Sequence, residues 1–360
     1  VALRTLASEV EAMRSRGFAA AAIAPEIEAL KMDDWRARTP PGAVVRAAAV
    51  FCDRAEHDAR DLQRAIEAER PDALIVDTLA WGALSAAEAW GGPWASTCPF
   101  PLASRGGMGR PFVGIGFRRL IGGLNEVRRA LGLHPLRHPE ELFLAAPLVL
   151  YMTAEPFEYP RPDWPESIVM VGPCPWEPPG ELPAELAGVE EPLILVTTST
   201  DFQDDGRLVR TALEALAGEP YHVVATLPSA SADGLRVPAN ATVLPFAPHE
   251  PILARAACAV THGGMGATQK ALARGVPVCA VPFGRDQFDV ARRVEVAGAG
   301  SRLLALRLSP ERLREKVREA VSCRGGAERV ARSFSASGGP SAAADAVEQR
   351  LLRYLVDHGS

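Results

Sequence analysis

Residues 260–287 read VTHGGMGATQKALARGVPVCAVPFGRDQ. An apolar strand end delivers His262 into the glycines Gly263, Gly264 and Gly266, and a helical run follows at once. Strand, glycine turn and helix in that order make an anion site. Glycines let the backbone come close and adopt positive φ, so amides point at a phosphate, and the helix dipole adds positive charge at the same place. Tight turns also use glycine for steric reasons alone, so the turn does not decide the matter by itself. One strand later, PFGRDQ places Asp286 and Gln287 at the same carboxyl edge. Paired acceptors and donors of this kind suit sugar hydroxyls, although Asp286 also stands where it would cap a helix. Upstream, LPFAPHEPIL sets Phe246 at a strand end, where an aromatic can stack on a nucleobase while nearby backbone groups read the base edge.

Outward from this stretch the chain alternates strand and helix. PLILVTTST, YHVVATL, ATVLPF, CAVTH and VPVCAVPF read as strands, and GRLVRTALEAL, ATQKALARG and DQFDVARRVEVAG as helices, with Gly275 a C-cap. In the first half, ALIVD reads as a parallel strand covered on both faces, and the helix through Leu84, Ala87 and Glu88 stops at Gly91-Gly92. The expected fold is α/β: two Rossmann-like domains whose parallel sheets face each other across a cleft, where ligands of open α/β sheets bind. Their bounds are 1–160 and 191–338. A proline-dense, stiff linker over 161–190 joins them, and an amphipathic helix over 339–360 returns to the first domain. The opening VALRTLASEVEAMRSRGF carries Leu3, Leu6, Val10 and Met13 at helical spacing, so it is expected to be a helix. A helix there would follow a strand and loop, which places the true N-terminus upstream of Val1.

Composition narrows the function classes. With 48% hydrophobic and 23% charged residues the chain is ordinary globular protein, and its length suits two domains. A net charge of −5 without a basic run argues against nucleic acid or an anionic membrane surface as the main partner. The six cysteines are scattered, with no metal-ligand spacing, as for reduced thiols in a cytoplasmic protein. No apolar run reaches membrane-spanning length, so stable membrane insertion is not expected.

The wording FAPH…THGGMGATQKALARGVPVCAVPFGRDQ resembles the donor-binding signature of family-1 glycosyltransferases, most closely the actinobacterial antibiotic-type branch. The resemblance is specific within residues 244–300 and covers most of the chain in organisation. It implies a GT-B enzyme that moves a sugar, with inversion and without metal or other cofactor, from a UDP- or dTDP-sugar to a hydroxyl of an apolar natural product or glycolipid, as monomer or homodimer. It further implies a role for each matching residue. Phe246 stacks on the base, Ala247 reads it through the backbone, and His249 lies near the ribose. His262, the amides of Gly264, Met265, Gly266 and Ala267, and the Thr268 hydroxyl hold the diphosphate, helped by the polar loop of Thr198, Ser199 and Thr200. Asp286 and Gln287 read the sugar. One position departs: relatives carry glutamate, a ribose acceptor, where this chain has Lys270. Lysine cannot accept a hydrogen bond, so Gln269 or water takes that task, or Lys270 meets a phosphate, or it is a solvated surface lysine.

An inverting transfer needs a base for the acceptor proton. The resemblance puts that base on a histidine after the first strand, on a segment not present in this chain, oriented by Asp77 at the end of ALIVD. A turn-forming aspartate is the alternative. His57, His134 and His138 carry no partner motif. The glycine- and proline-rich CPFPLASRGGMGRPFVGIGF, with Trp81, Phe100, Phe112 and Phe117, is the candidate acceptor wall, and the same aromatics would serve equally as core. Two other classes fit the same residues: a nucleotide-sugar-binding auxiliary protein on a degenerate GT-B scaffold, and a nucleotide-sugar epimerase or hydrolase.

Overall fold

The computed structural model describes residues 1–37, 39–102, 121–200, 205–228 and 234–352. Phe112 and Phe117 lie outside them. The N-terminal half begins with β1 (Ala2–Thr5), a short helix α1 (Val10–Arg14) and β2 (Ala19–Ala22). Then come helices α2 (Pro25–Ala29), α3 (Pro40–Asp53) and α4 (Ala55–Glu69). Next are β3 (Leu74–Asp77), α5 (Trp81–Trp90) and β4 (Trp94–Cys98). Helices α6 over 121–130 and α7 (Pro139–Phe143) precede β5 (Leu148–Tyr151) and β6 (Ile168–Met170).

The chain therefore opens in a strand and not in the expected helix. Leu3 and Leu6 do fall at helical spacing, but residues 2–5 pair in parallel, one to one, with residues 19–22. That long-range pairing overrides local propensity even for the four alanines of β2. Strands β3 to β6 form a separate parallel sheet in the order β3-β4-β5-β6. ALIVD is not covered on both faces: β3 is an edge of this sheet, and Ile75 is 57% exposed. The proline-dense segment also differs from a plain linker, since its apolar Ile168–Met170 is the fourth strand, paired to β5.

The C-terminal half is a six-stranded parallel sheet built from β7 (Leu193–Thr197), β8 (His222–Thr226), β9 (Ala241–Leu244), β10 (Ala256–Thr261), β11 (Val278–Ala280) and β12 (Gly300–Arg302). Its order is β12-β11-β10-β7-β8-β9. Both faces are covered, which is why these strands read as unbroken apolar runs. Leu193, Leu195, Ala259 and Val278 pack on one side. Ile194, Val196, Cys258 and Val260 pack on the other, with α8 (Gly206–Ala215) and α12 (Pro310–Ser322). The order reverses between β7 and β10, and ligands of open α/β sheets bind outside the strand ends at such a switch point.

Several features join the halves. The turn after β5 sends Phe157 into the C-terminal core, against Phe334 of α13 (Arg324–Ala336). Beside it, Arg293 of α11 (Gln287–Val296) donates two hydrogen bonds to Glu158, at 3.0 and 2.8 Å, and both side chains are almost wholly buried. The Tyr151 hydroxyl donates to the same carboxylate, and the ring of Tyr159 lies 4.4 Å from the guanidinium. Finally, α14 (Gly339–Val347) and the turn Glu348–Leu352 lay Ala346 and Leu351 against Ala95, Leu148, Leu150 and Val171 of the N-terminal sheet.

Candidate functional site

The switch point carries the glycine turn. Thr197 and Thr261 are register partners at the ends of β7 and β10. The residues that follow them, Thr198 and His262, therefore emerge side by side. Gly263 takes φ +83°, which turns the chain sharply, and α10 (Met265–Ala273) starts after Gly264. A Cβ on Gly264 would stand 2.3 Å from Nε2 of His262, so the imidazole lies against the bare backbone of the turn. The first helical hydrogen bond runs from the Thr268 N–H to the Gly264 carbonyl. The amides of Met265, Gly266 and Ala267 therefore have no acceptor within the helix. Among the described residues, a Cβ on Gly266 would meet nothing within 4 Å, so they leave the helix start open. The side chain of Met265 belongs to the core, leaving only its backbone for the site.

Three buried side-chain atoms around this turn, Oγ1 of Thr198, Nδ1 of His262 and Oγ1 of Thr268, have no hydrogen-bond partner among the described residues. Buried polar groups are nearly always paired, so three such atoms at one sheet end mark a place for a polar ligand. Burial pushes the His262 pKa down from 6.5 to about 4, opposed by the Thr197 carbonyl and aided by Arg285. The ring is therefore neutral near pH 7, a hydrogen-bonding group and not a cation. Ser199 is buried with its amide bonded to Asp205 at 2.7 Å, and Thr200 is exposed beside it.

Phe246, at the end of β9, is 65% exposed, unusual for a phenylalanine, while Ala247 is buried. His249 opens the short helix α9 (His249–Leu253), and its Nε2 meets the Thr226 hydroxyl at 3.1 Å. Burial, followed by the charge of Lys270, lowers its pKa. Lys270 is neither a free surface lysine nor aimed at the turn. It donates to Glu177 at 2.8 Å, and the same carboxylate accepts the Glu250 amide at 2.7 Å. Gln269 is likewise committed elsewhere. Its amide nitrogen donates to the Met152 carbonyl of the other domain at 2.7 Å, which ties that nitrogen to the domain joint.

The PFGRDQ turn lies at the end of β11. The Oε1 of Gln287 accepts the amides of Phe283 and Gly284, at 2.8 and 3.0 Å, which locks the turn. Asp286 occupies the N-cap position of α11, yet its side chain makes no capping hydrogen bond. Burial raises its pKa, against its own amide and Arg285. Across the cleft, Asp77 ends β3 with one oxygen accepting the Leu79 amide at 2.7 Å.

The acceptor wall fares differently. Trp81 is buried in the core cluster of the N-terminal half, its ring 5.2 Å from Phe51 and 6.1 Å from Phe143. Phe100 is half-buried and packs edge-on to the same Phe143. The sequence left Arg285 unassigned. It sits inside the quoted stretch with φ +52°, and its guanidinium is held by Asp34, 251 residues away. Its one local signal was a cation placed directly beside Asp286. Among the described residues no three His, Cys, Asp or Glu side chains are grouped to hold a metal ion. No described helix is long and apolar enough to cross a membrane.

The chain resembles known proteins in both sequence and fold. The family described as erythromycin biosynthesis protein CIII-like, C-terminal domain, matches residues 210–349. The chain is 32% identical over 298 residues to 4'-demethylrebeccamycin synthase of Lentzea aerocolonigenes, covering 75% of this chain and 70% of that protein. It is 36% identical over 203 residues to a PGL/p-HBAD biosynthesis rhamnosyltransferase of Mycobacterium bovis, covering 55% of this chain and 44% of that one. The solved glycosyltransferase of kitacinnamycin superposes with a TM-score of 0.78 at 24% identity over 98% of this chain and 91% of that chain, a likeness of fold. Motif, fold and relatives coincide, and the chain belongs to the GT-B glycosyltransferases of antibiotic and natural-product type, the family of 4'-demethylrebeccamycin synthase.

Proposed function

We propose that the protein transfers a sugar from a UDP- or dTDP-sugar to a hydroxyl of an apolar small molecule or glycolipid, with inversion at the anomeric carbon and without a metal ion. The observation that carries this reading is the trio of buried atoms on Thr198, His262 and Thr268 that have no partner among the described residues, set around a helix start those residues leave open. A diphosphate supplies acceptor oxygens for all three and for the amides of Met265, Gly266 and Ala267. Those same groups stabilise the charge that gathers on the diphosphate as it leaves, the task a preorganised set of dipoles performs best. Neutral His262 donates a hydrogen bond here and is not the base.

Exposed Phe246 offers its face to the nucleobase, with the Ala247 backbone at its edge. Near the ribose, the Glu177 carboxylate held by Lys270 and the Glu250 amide supplies the acceptor that lysine cannot. Asp286, unused by its helix, accepts from sugar hydroxyls, and Gln287 shapes the turn that presents it. On the opposite domain, Asp77 orients the base that takes the acceptor proton.

Calorimetry with UDP and dTDP, followed by transfer from the matching nucleotide-glucose to a phenolic acceptor panel, tests the reading. One nucleotide binds the wild type, His262→Ala abolishes binding, and the product's anomeric configuration, read by NMR, is inverted. Full activity in His262→Ala would remove the phosphate role. Donor consumption with no glycoside formed would make the protein a hydrolase, and EDTA-sensitive transfer would remove the metal-free mechanism.

A further inference from the structure

The bond between Arg285 and Asp34 crosses the cleft. Nε of Arg285 donates to one Asp34 oxygen and Nη2 to the other, both at 2.8 Å. Asp34 belongs to a single helical turn, Asp34–Arg36, of the N-terminal half, and is only 3% exposed. Arg285 stands between Gly284 and Asp286 on the turn that Gln287 locks. Its backbone takes φ +52°, a conformation that L side chains other than Asn and Asp rarely adopt.

Stability alone does not account for this arrangement. Two charges drawn into a protein joint are often no better than a well-packed apolar pair. A positive φ on arginine adds a cost that glycine at the same place would avoid. The turn spends that strain on putting a permanent cation, with its plane fixed by a bidentate carboxylate, at the edge of the donor site. A Cβ on Gly263 would stand 3.1 Å from the Gln287 carbonyl, so the turn that carries Arg285 packs directly on the glycine turn of His262, with Asp286 next to it. In the donor reading proposed above, the diphosphate sits at the glycine turn and the sugar at Asp286, so the phosphate nearer the sugar is the one beside Arg285.

We propose that Arg285 binds the distal phosphate of the donor, and that Asp34 of the N-terminal half is the positioning residue that aims it. The donor site is then completed only when the two halves meet, so domain closure and leaving-group stabilisation are one event. This rests on the nucleotide-sugar reading above.

The test uses the full chain and whichever of UDP and dTDP the wild type binds more tightly, with the matching monophosphate as control. Arg285→Gln weakens diphosphate binding about tenfold, as expected for loss of a charge-assisted bond, and leaves monophosphate binding unchanged. Asp34→Asn weakens diphosphate binding by a smaller factor in the same pattern. The exchanged pair Asp34→Arg with Arg285→Asp rebuilds the ion pair across the cleft but puts a carboxylate beside the phosphate. It recovers the wild-type urea midpoint and does not recover diphosphate binding.

Recovery of binding in the exchanged protein would make the pair a latch and nothing more, and would overturn the proposal. Undiminished diphosphate binding in Arg285→Gln would do the same. If the exchanged protein does not fold, Arg285→Gln against the two nucleotides still decides. A wild type that binds neither nucleotide overturns the donor reading itself. Binding that survives His262→Ala removes that residue's role but leaves the Arg285 comparison intact.

Discussion

His262 should leave a measurable mark on how stability varies with pH. Its pKa is about 4 in the folded protein against 6.5 for a free imidazole, because burial disfavours the charged ring. Between these values the unfolded chain holds a proton that the folded chain refuses, so stability falls as pH drops through 6.5 and levels off below 4. Each unit of difference is worth about 1.4 kcal/mol. Going from pH 7 to pH 5 should therefore cost the wild type about 2 kcal/mol through this one residue. His262→Asn cannot take up the proton and escapes this loss. The assay is urea denaturation of both proteins at the two pH values, and the quantity is the difference between their pH dependences, which cancels every other titrating group. The variant should gain about 2 kcal/mol on the wild type between pH 7 and pH 5. If the two proteins lose stability in parallel, the ring is not buried and neutral, and the donor site built around it fails with it.

Three further outcomes follow from the geometry. Gly266→Leu meets no described residue at its Cβ and sits in a helix, so stability by urea denaturation should hold or rise by up to about 1 kcal/mol, while nucleotide binding by calorimetry is lost. Arg293→Met leaves Glu158 buried without its cation and should cost about 3–5 kcal/mol by the same denaturation assay, with most of it recovered when Glu158→Leu is added. Lys270→Met removes a partly shielded pair with Glu177 and should cost about 1 kcal/mol or less. Because that ammonium is tied to the carboxylate and not poised at the turn, diphosphate affinity should change by less than about threefold.

How far the sequence could be read depends on the range of the force that fixes each element. The glycine turn, the C-cap at Gly275 and the apolar runs of the C-terminal sheet are local signals, since backbone freedom and two-sided burial are written in adjacent residues. The start of the chain was legible only in part: Val10 and Met13 do fall in a helix, but Leu3 suits one equally and only pairing with Ala19–Ala22 makes residues 2–5 a strand. Trp81 reads as core or pocket with equal ease until Phe51 and Phe143 close around it. Gln269 and Lys270 sit inside the motif, yet their partners Met152 and Glu177 come from another part of the chain. Asp34 carries no local mark at all: its meaning comes from a guanidinium 251 residues away.

The helix Gly339–Val347 and the turn Glu348–Leu352 bear on biosynthesis. They cover Ala95, Leu148, Leu150 and Val171, residues made far earlier. While the chain is being translated, that face of the first sheet stays bare until residues 339–352 have left the ribosome. Completion of the first half is thus not enough for the N-terminal domain to finish folding, and a chain halted before residue 339 would display a sticky sheet to every chaperone in reach.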